Sequence, residues 1–308
     1  MSLIAMIQGG AAAAQEHGAT GGAPDLKGML THHLLDASEI ELRLLGHGWT
    51  LDLSRFSIPP LQIPGGPTID FSPTKHVVFM FLAAILCLVV FIPIGRAMRD
   101  KYTTKAPTGR ANAIEAMVVY FRDEVVRRNI GDGADAYTGY ILTLFFFILF
   151  MNLLGLLPWG STATGNFMVT GALALVTFVV VEVSGMRALG LKGYMRTIFF
   201  APPGLNPIGT FIMLLILTPV EFMGKLTKPF ALMIRLFANM MAGHTLVLSL
   251  LGMIFMFASI GPAKWGVVGA SLGMVGPIMI LELFVAFLQA YIFAMLTSVF
   301  IGMIRHAH

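Results

Sequence analysis

The amino-acid sequence predicts an all-α polytopic membrane protein, with five transmembrane crossings and one surface amphipathic helix. Apolar residues make up 56% of the 308 residues and charged residues only 12%, whereas soluble domains carry about 25% charged residues. Five segments are apolar over roughly the 20 residues that a helix needs to cross a hydrocarbon core of about 30 Å. The last two are so long that we expect both helices to tilt steeply in the membrane.

These features divide the chain into consecutive segments. In chain order we predict an extracytoplasmic N-terminal segment (1–74), a transmembrane helix (75–96), a cytoplasmic loop (97–137), a transmembrane hairpin (138–186), a cytoplasmic loop (187–206), a long tilted helix (207–258), an outer loop (259–266), a last tilted helix (267–304) and a cytoplasmic tail (305–308). The first 20 residues resemble a secretory signal but lack a basic start, so a cleaved signal and a flexible tail both stay open.

Basic residues predict the orientation of the crossings. Lys and Arg cluster in the two loops 97–137 and 187–206, while the loops on the other side are nearly uncharged. Cytoplasmic loops carry the excess of positive charge in membrane proteins. We therefore expect the N-terminus outside and the C-terminus in the cytoplasm.

The first of these loops contains the amphipathic helix, over residues 111–129. Its apolar residues recur at helical spacing and form one stripe, whereas its charged residues lie largely off that stripe. The segment is too polar to span a bilayer, so we expect it to lie on the inner membrane surface. The stripe consists of Ile114, Met117, Val118, Phe121 and Val125.

The long apolar segment that begins at Pro207 contains several polar residues that are unusual inside a membrane helix. As one helix it would extend about 75 Å at 1.5 Å per residue, so it must tilt, begin outside the bilayer, or bend near Pro219 and Pro229. Polar side chains recur on one of its faces: Glu221, Lys225, Lys228, Arg235 and Asn239.

Arg235 is the member of this stripe that most needs an explanation. An arginine at the bilayer centre costs about 2.5–3.5 kcal/mol on insertion scales. Lys225 and Lys228 are explained by snorkelling at the cytoplasmic end. Arg235 lies deeper, and it requires a carboxylate or a water-filled cavity.

A second group of polar residues faces elsewhere. His244 follows Arg235 by nine residues, which is half a turn away around a helix, and the last apolar segment offers Glu282 and Gln289 on a common face. A buried Glu beside a His suits a proton relay, because both groups exchange protons near neutral pH. A structural hydrogen bond between them stays the alternative. Gln289 is able to bond Arg235 or to join helices.

Other candidate sites are weaker. Asn152 either lines an aqueous passage or satisfies a helix contact, and interfacial solvation explains Glu182. The two histidine pairs, 32–33 and 306/308, lack a third ligand, so we expect no metal. Phosphate-binding motifs and nucleophile arrangements are missing from the sequence. We therefore expect no cofactor and no nucleic-acid partner.

Taken together, several motifs resemble subunit a, the stator channel subunit of F-type ATP synthases. The most specific are MIRLFANMMAGH and, in the last segment, ELFVAFLQAYIF. The resemblance extends over most of the chain, through THHLL at Thr31, FMNLLGLLP, LNP at Leu205 and LTKP at Leu226. It identifies a family whose members conduct protons beside a rotating ring of small subunits.

The resemblance implies a membrane proton-channel subunit of the rotary complex that is not an enzyme by itself. Two offset half-channels would lead to the ring, and Arg235 would face each ring carboxylate in turn. The implied partners are the c-ring, b-type subunits of the peripheral stalk, the rest of the ATP synthase and the lipid bilayer of the inner (plasma) membrane. The residues implied in proton translocation are Arg235, Asn239, His244, Glu282, Gln289 and Glu221, with Asn152, Asn166 and Tyr291 as candidate channel-lining residues.

Two departures from many bacterial relatives matter. His244 and Glu282 stand where those relatives have Glu and His, so the pair is exchanged, which indicates that the two positions touch. Gly155 stands where some relatives carry Asp, so that Asn152 or Asn166 would have to hold water instead.

Two other classes of function compete with this interpretation. A secondary transporter would use Arg235 to bind an anionic substrate, and it predicts internal repeats that the sequence does not show. A non-conducting membrane anchor would leave Arg235, His244, Glu282 and Gln289 without a use. A His and Glu relay favours the proton over sodium as the transported ion.

Overall fold

The computed structural model describes residues 74–101, 109–157, 160, 162–199, 206–257 and 264–306, together with the backbone of four short strands. The strands form two antiparallel hairpins that the sequence analysis did not predict. β1 (Glu39–Leu44) pairs with β2 (His47–Asp52), and β3 (Leu61–Gln62) pairs with β4 (Thr68–Ile69). Both hairpins fall within the predicted extracytoplasmic segment.

Among the described residues, five helices are long and apolar enough to cross a membrane, which confirms the predicted all-α polytopic fold. They are α1 (Lys75–Lys101), α4 (Asp135–Gly155), α5 (Phe167–Ile198), α6 (Pro207–Met256) and α7 (Lys264–Arg305). α6 continues through Pro219 and Pro229 for 50 residues. This length matches the sequence expectation, and the steep tilt stays a prediction.

The predicted loop 187–206 is wrong over its first part. Residues up to Ile198 are helical, and the helix is interrupted at Gly190, where φ is 69° and ψ is 166°. A positive φ is easily adopted only by glycine, so the chain changes direction there and then resumes a helix. Basic residues in this stretch suggested a loop, although long basic side chains are also common on helix ends that reach the membrane surface.

The predicted amphipathic helix is present as three consecutive pieces. α2 (Arg110–Tyr120) is followed by a π-helical segment (Phe121–Arg127) and by α3 (Arg128–Ile130). The expectation that its apolar stripe rests on the membrane needs correction, because part of that stripe packs on protein. Phe121 and Val125 are at most 2% exposed, and the Phe121 ring lies 4.5 Å from that of Phe145 in α4.

The described residues group into two compact units. The first contains those within Met1–Leu86, Leu149–Asn166 and Phe237–Leu288. Its apolar contacts join the end of α6 to the start of α7 through Val247, Leu251 and Val275, and Phe79 of α1 to Leu154 of α4. This unit holds His244 and Glu282.

The second unit contains Cys87–Ile148, Phe167–Leu236 and Gln289–His308. The end of α7 packs closely on the amphipathic segment here. Ser298 donates a hydrogen bond to the Val125 carbonyl at 3.2 Å, and Asn129 Nδ2 donates to the same carbonyl at 2.6 Å. Arg305 donates to the Asp132 carbonyl at 2.7 Å. The C-terminal turn of α7 is therefore fixed by backbone carbonyls of the amphipathic segment and the loop after it.

Candidate functional site

His244 and Glu282 lie side by side in the first unit, on α6 and α7. The distance from His244 Nε2 to Glu282 Oε1 is 3.7 Å, and their side chains are 21% and 7% exposed. Among the described residues, neither of these two atoms has a hydrogen-bond partner. The predicted proximity of the pair is thus confirmed. The gap of 3.7 Å is too long for a direct hydrogen bond, and a small movement of either side chain would bring the two groups within hydrogen-bond distance.

Gly243 allows α6 and Glu282 to approach so closely. A Cβ atom at this position would lie 2.7 Å from Glu282 Oε1 and 3.0 Å from its Cδ. Only glycine leaves this space free, because every other residue adds that carbon. The position of the Glu282 carboxyl group therefore depends on a missing side chain next to His244.

Asn152 has a structural use that the sequence left open. It is fully buried, its Nδ2 donates to the Ala286 carbonyl of α7 at 3.1 Å, and its Oδ1 accepts from Thr164 at 2.8 Å. It therefore satisfies a helix contact one turn beyond Glu282. The channel-lining role of Asn152, and that of the half-buried Asn166, stay predictions.

The absence of an acid at position 155 has a steric reason. A Cβ atom on Gly155 would collide with the Thr162 side chain and would lie 3.0 Å from the Thr162 Cα. The turn around the 3₁₀ helix (Ala163–Gly165) passes directly over this glycine. An aspartate has no room there unless this turn moves.

Arg235 lies on a face of α6 that the described residues leave exposed. Arg235 and Asn239 are exposed, whereas Leu232, Leu236 and Met240 are buried at 0–1% exposure. Within the described part of the chain, the Arg235 guanidinium takes part in no ion pair. The carboxylate that this arginine requires in a membrane is thus not provided by the described residues.

Gln289 and Tyr291 belong to the second unit, near the middle of α7. Gln289 is 2% exposed, and its predicted bond to Arg235 stays a prediction. The Tyr291 hydroxyl lies 3.4 Å from that of Tyr120, and its ring meets Phe121 edge-on at 5.9 Å. Tyr291 therefore contacts the amphipathic segment.

A further group of ionisable side chains was underestimated from the sequence. Glu182 is 9% exposed and not solvated at an interface as expected. Tyr194 donates a hydrogen bond to its Oε2, and Lys225 Nζ lies 3.8 Å from the same oxygen. Only 10% of the Lys225 side chain is exposed, and its ammonium group approaches Glu182 instead of reaching outward, so the snorkelling interpretation is wrong for it. One signal was usable beforehand: a Lys and a Glu occur in two consecutive apolar segments.

Glu221 lies beside this group. It lines a cavity of about 180 Å³ together with Glu182, Lys225 and Lys228. The resemblance implied Glu221 as an acid of the inner half-channel, and the cavity gives this residue a polar surrounding.

Comparison with known proteins agrees with these features. Residues 77–302 match the family described as ATP synthase A chain. The chain is 44% identical over 301 residues to ATP synthase subunit a of Anaeromyxobacter dehalogenans (strain 2CP-C), covering 94% of this chain and 75% of that protein.

Two other relatives are similar over much of their length. ATP synthase subunit a of Myxococcus xanthus (strain DK1622) is 48% identical over 247 residues, which are 79% of this chain and 76% of the relative. ATP synthase subunit a of Chlorobium phaeobacteroides (strain BS1) is 42% identical over 284 residues, which are 92% of this chain and 76% of the relative. Since the family match includes all or nearly all of each of the five long apolar helices, the chain belongs to the ATP synthase A chain family.

Proposed function

We propose that the chain is the membrane proton-channel subunit of a rotary F-type ATP synthase. It provides two offset half-channels and the arginine, Arg235, that couple proton translocation to rotation of the c-ring and so to ATP synthesis. The observation that carries the proposal is the exposure of Arg235 on a long, largely apolar helix. By itself the chain performs no catalysis.

The physical reason is the cost of leaving this charge in lipid. A lone arginine near the bilayer centre costs about 2.5–3.5 kcal/mol or more, so its face of α6 must meet a counter-charge from another chain. A ring of subunits that each bring one carboxyl group into the membrane meets this need repeatedly. An opposite charge within about 4–6 Å lowers the pKa of a carboxyl group by about 1–3, so each passing carboxyl would release its proton beside Arg235.

The remaining site residues divide between the two half-channels. His244 and Glu282, 3.7 Å apart, form the relay of the outer half-channel, and Glu221 is an acid of the inner one. Asn239 and Gln289 are polar neighbours of the arginine, and Asn152, Asn166 and Tyr291 are candidate channel-lining residues. Proton release at Arg235 keeps the two half-channels separate. A proton then crosses from one half-channel to the other only while it is bound to a ring carboxyl group during rotation.

The proposal includes the assembly partners and the membrane orientation that the resemblance and the loop charges imply. The exposed face of α6 contacts the c-ring, and b-type subunits of the peripheral stalk hold the chain against rotation. The protein spans the inner (plasma) membrane, with its N-terminus outside and its C-terminus in the cytoplasm. The loop charges support this orientation through the excess of Lys and Arg expected on the cytoplasmic side.

Substitution of Arg235 by leucine tests the proposal. Inverted membrane vesicles that hold the whole complex should lose ATP-driven acidification, while the complex stays assembled and ATP hydrolysis is followed in parallel. Undiminished acidification would overturn the proposed coupling role. The transporter with an anionic substrate would then be the function to test.

A substitution at Gly243 tests the outer relay. Gly243→Ala should lower ATP-driven acidification about tenfold, since a misplacement of about 1 Å in a reacting group can cost even more. The new methyl group would displace the Glu282 carboxyl, which lies 2.7 Å from its position. Gly224→Ala on the same helix is the matched control, because a Cβ there meets nothing within 4 Å. Equal pumping by the two variants would contradict the relay.

A further inference from the structure

The cavity beside Glu221 contains more charge than the proposed function uses. It measures about 180 Å³ and is lined by two carboxylates, two ammonium groups, two threonines and an apolar remainder. All of its lining residues belong to the second unit, on α5, α6 and α7. A volume of this size has room for several water molecules, since each occupies about 30 Å³ of the liquid.

Glu182 is the most firmly positioned of these charged groups. Tyr194 donates a hydrogen bond to Oε2, and Lys225 Nζ approaches the same oxygen to 3.8 Å. Lys225 in turn lies 3.4 Å from Thr197 Oγ1 and 4.4 Å from the centre of the Tyr194 ring. The kink at Gly190 turns Tyr194 and Thr197 back toward Glu182, so the broken helix builds this arrangement.

Stability alone does not explain such a pair. Removing two charges from water is expensive, and replacing a buried ion pair by apolar residues of similar size is often neutral or stabilising. The pair also lines a cavity, together with Glu221 and Lys228, instead of being enclosed by apolar side chains. A use in transport explains both its burial and its position.

We propose that this cavity is a water-filled proton passage in which Glu182 exchanges protons alongside Glu221, with Tyr194 and Lys225 as positioning residues. The inference rests on the proposed function and adds a second carboxyl group to its inner half-channel. Glu182 accepts a proton from cavity water and returns it to water. The other titratable groups facing the cavity are Glu221 and Lys228, and α7 contributes only apolar side chains.

The first test measures hydration independently of pumping. In the complex with Cys87→Ala, Val181→Cys places a thiol on the cavity wall, and Val179→Cys on the same helix places one at a position that is 51% exposed outside the cavity. A small water-soluble methanethiosulfonate should modify Val181→Cys at least about tenfold faster, because the reactive thiolate forms in water and not in lipid. Equal or slower modification of Val181→Cys would overturn the water-filled passage.

The second test measures proton exchange by Glu182. In vesicles stripped of the ATP-hydrolysing sector, Glu182→Gln should lower passive proton conductance at least about threefold and flatten its pH dependence, whereas Glu182→Asp should retain a large part of both. The double variant Glu182→Gln with Lys225→Gln removes the unpaired ammonium. Conductance restored to the wild-type level in the double variant would assign Glu182 a structural role and overturn the inference.

The two proposals fail in different ways. If Glu182→Gln kept wild-type proton conductance while Arg235→Leu still lost pumping, the proposed role of Glu182 would be wrong. The coupling role of Arg235 would be unaffected. Undiminished pumping in Arg235→Leu would remove the coupling proposal, whereas thiol modification at Val181→Cys would still report on the water in the cavity.

Discussion

Replacing Arg235 with lysine should lower ATP-driven acidification of inverted vesicles at least about tenfold, although a positive charge is kept. The guanidinium presents a planar fork of donors that binds a carboxylate at two points and stays charged at all accessible pH values. A lysine ammonium is a more strongly hydrated point charge that loses its proton more readily when it is removed from water. A ring carboxyl group that passes a lysine at position 235 would therefore release its proton incompletely.

The matched control for this experiment is the neighbouring position. Ile234 is 37% exposed on the same helix, and Ile234→Leu keeps its size and apolar character. We expect near wild-type acidification from this variant, with equal amounts of assembled complex in both preparations. Pumping by Arg235→Lys equal to that of Ile234→Leu would show that any positive charge suffices, and the bidentate role of the guanidinium would have to be abandoned.

The helices of this protein were largely predictable, because one strong physical requirement sets them. In a bilayer each backbone polar group must be satisfied within its own helix, so long apolar segments such as 75–96 appear directly as helices. The kink at Gly190 was not predictable in the same way. Glycine permits a positive φ but does not require one, and the surrounding basic residues fit a loop equally well.

The site was predictable only where its residues carry an evident desolvation cost. Arg235, His244 and Glu282 stood out because ionisable groups inside apolar segments are expensive. Glu182 and Lys225 did not, since each lies toward the predicted cytoplasmic side of its apolar segment, where solvation is an adequate explanation for either residue alone. Their pairing depends on how α5 and α6 pack, and the sequence spacing between two helices does not contain that information.

The π-helical segment shows a second limit of sequence patterns. An apolar stripe at helical spacing over 111–129 predicts one regular α-helix on the membrane surface. The structure instead has a π-helical segment over Phe121–Arg127. The Val125 carbonyl in this segment accepts hydrogen bonds from Asn129 and Ser298. π-helical turns are rare, and apolar spacing does not predict them; this one contacts the end of α7 through Ser298.

Substituting alanine at Gly302 should prevent the end of α7 from packing on this segment and sharply reduce the amount of assembled protein. A Cβ atom on Gly302 would collide with the Asn129 carbonyl oxygen and would lie 3.4 Å from the Ile130 Cα. Both neighbours are backbone atoms, so no side-chain rotation relieves the contact. Overpacking of this kind costs about 1–3 kcal/mol and occasionally more, and the displaced helix would also lose the hydrogen bonds of Ser298 and Arg305 to this region.

Gly273→Ala on the same helix separates this steric effect from the ordinary effect of the substitution. A Cβ at Gly273 meets nothing within 4 Å, and alanine favours a helix over glycine by about 0.8–1.0 kcal/mol. We therefore expect Gly273→Ala to match or exceed the wild type in membrane abundance and in thermal stability of the complex, while Gly302→Ala falls well below it. Equal abundance and stability of the two variants would show that α7 can move away from Asn129 at no cost, and the close contact at Gly302 would then not be what fixes the end of α7.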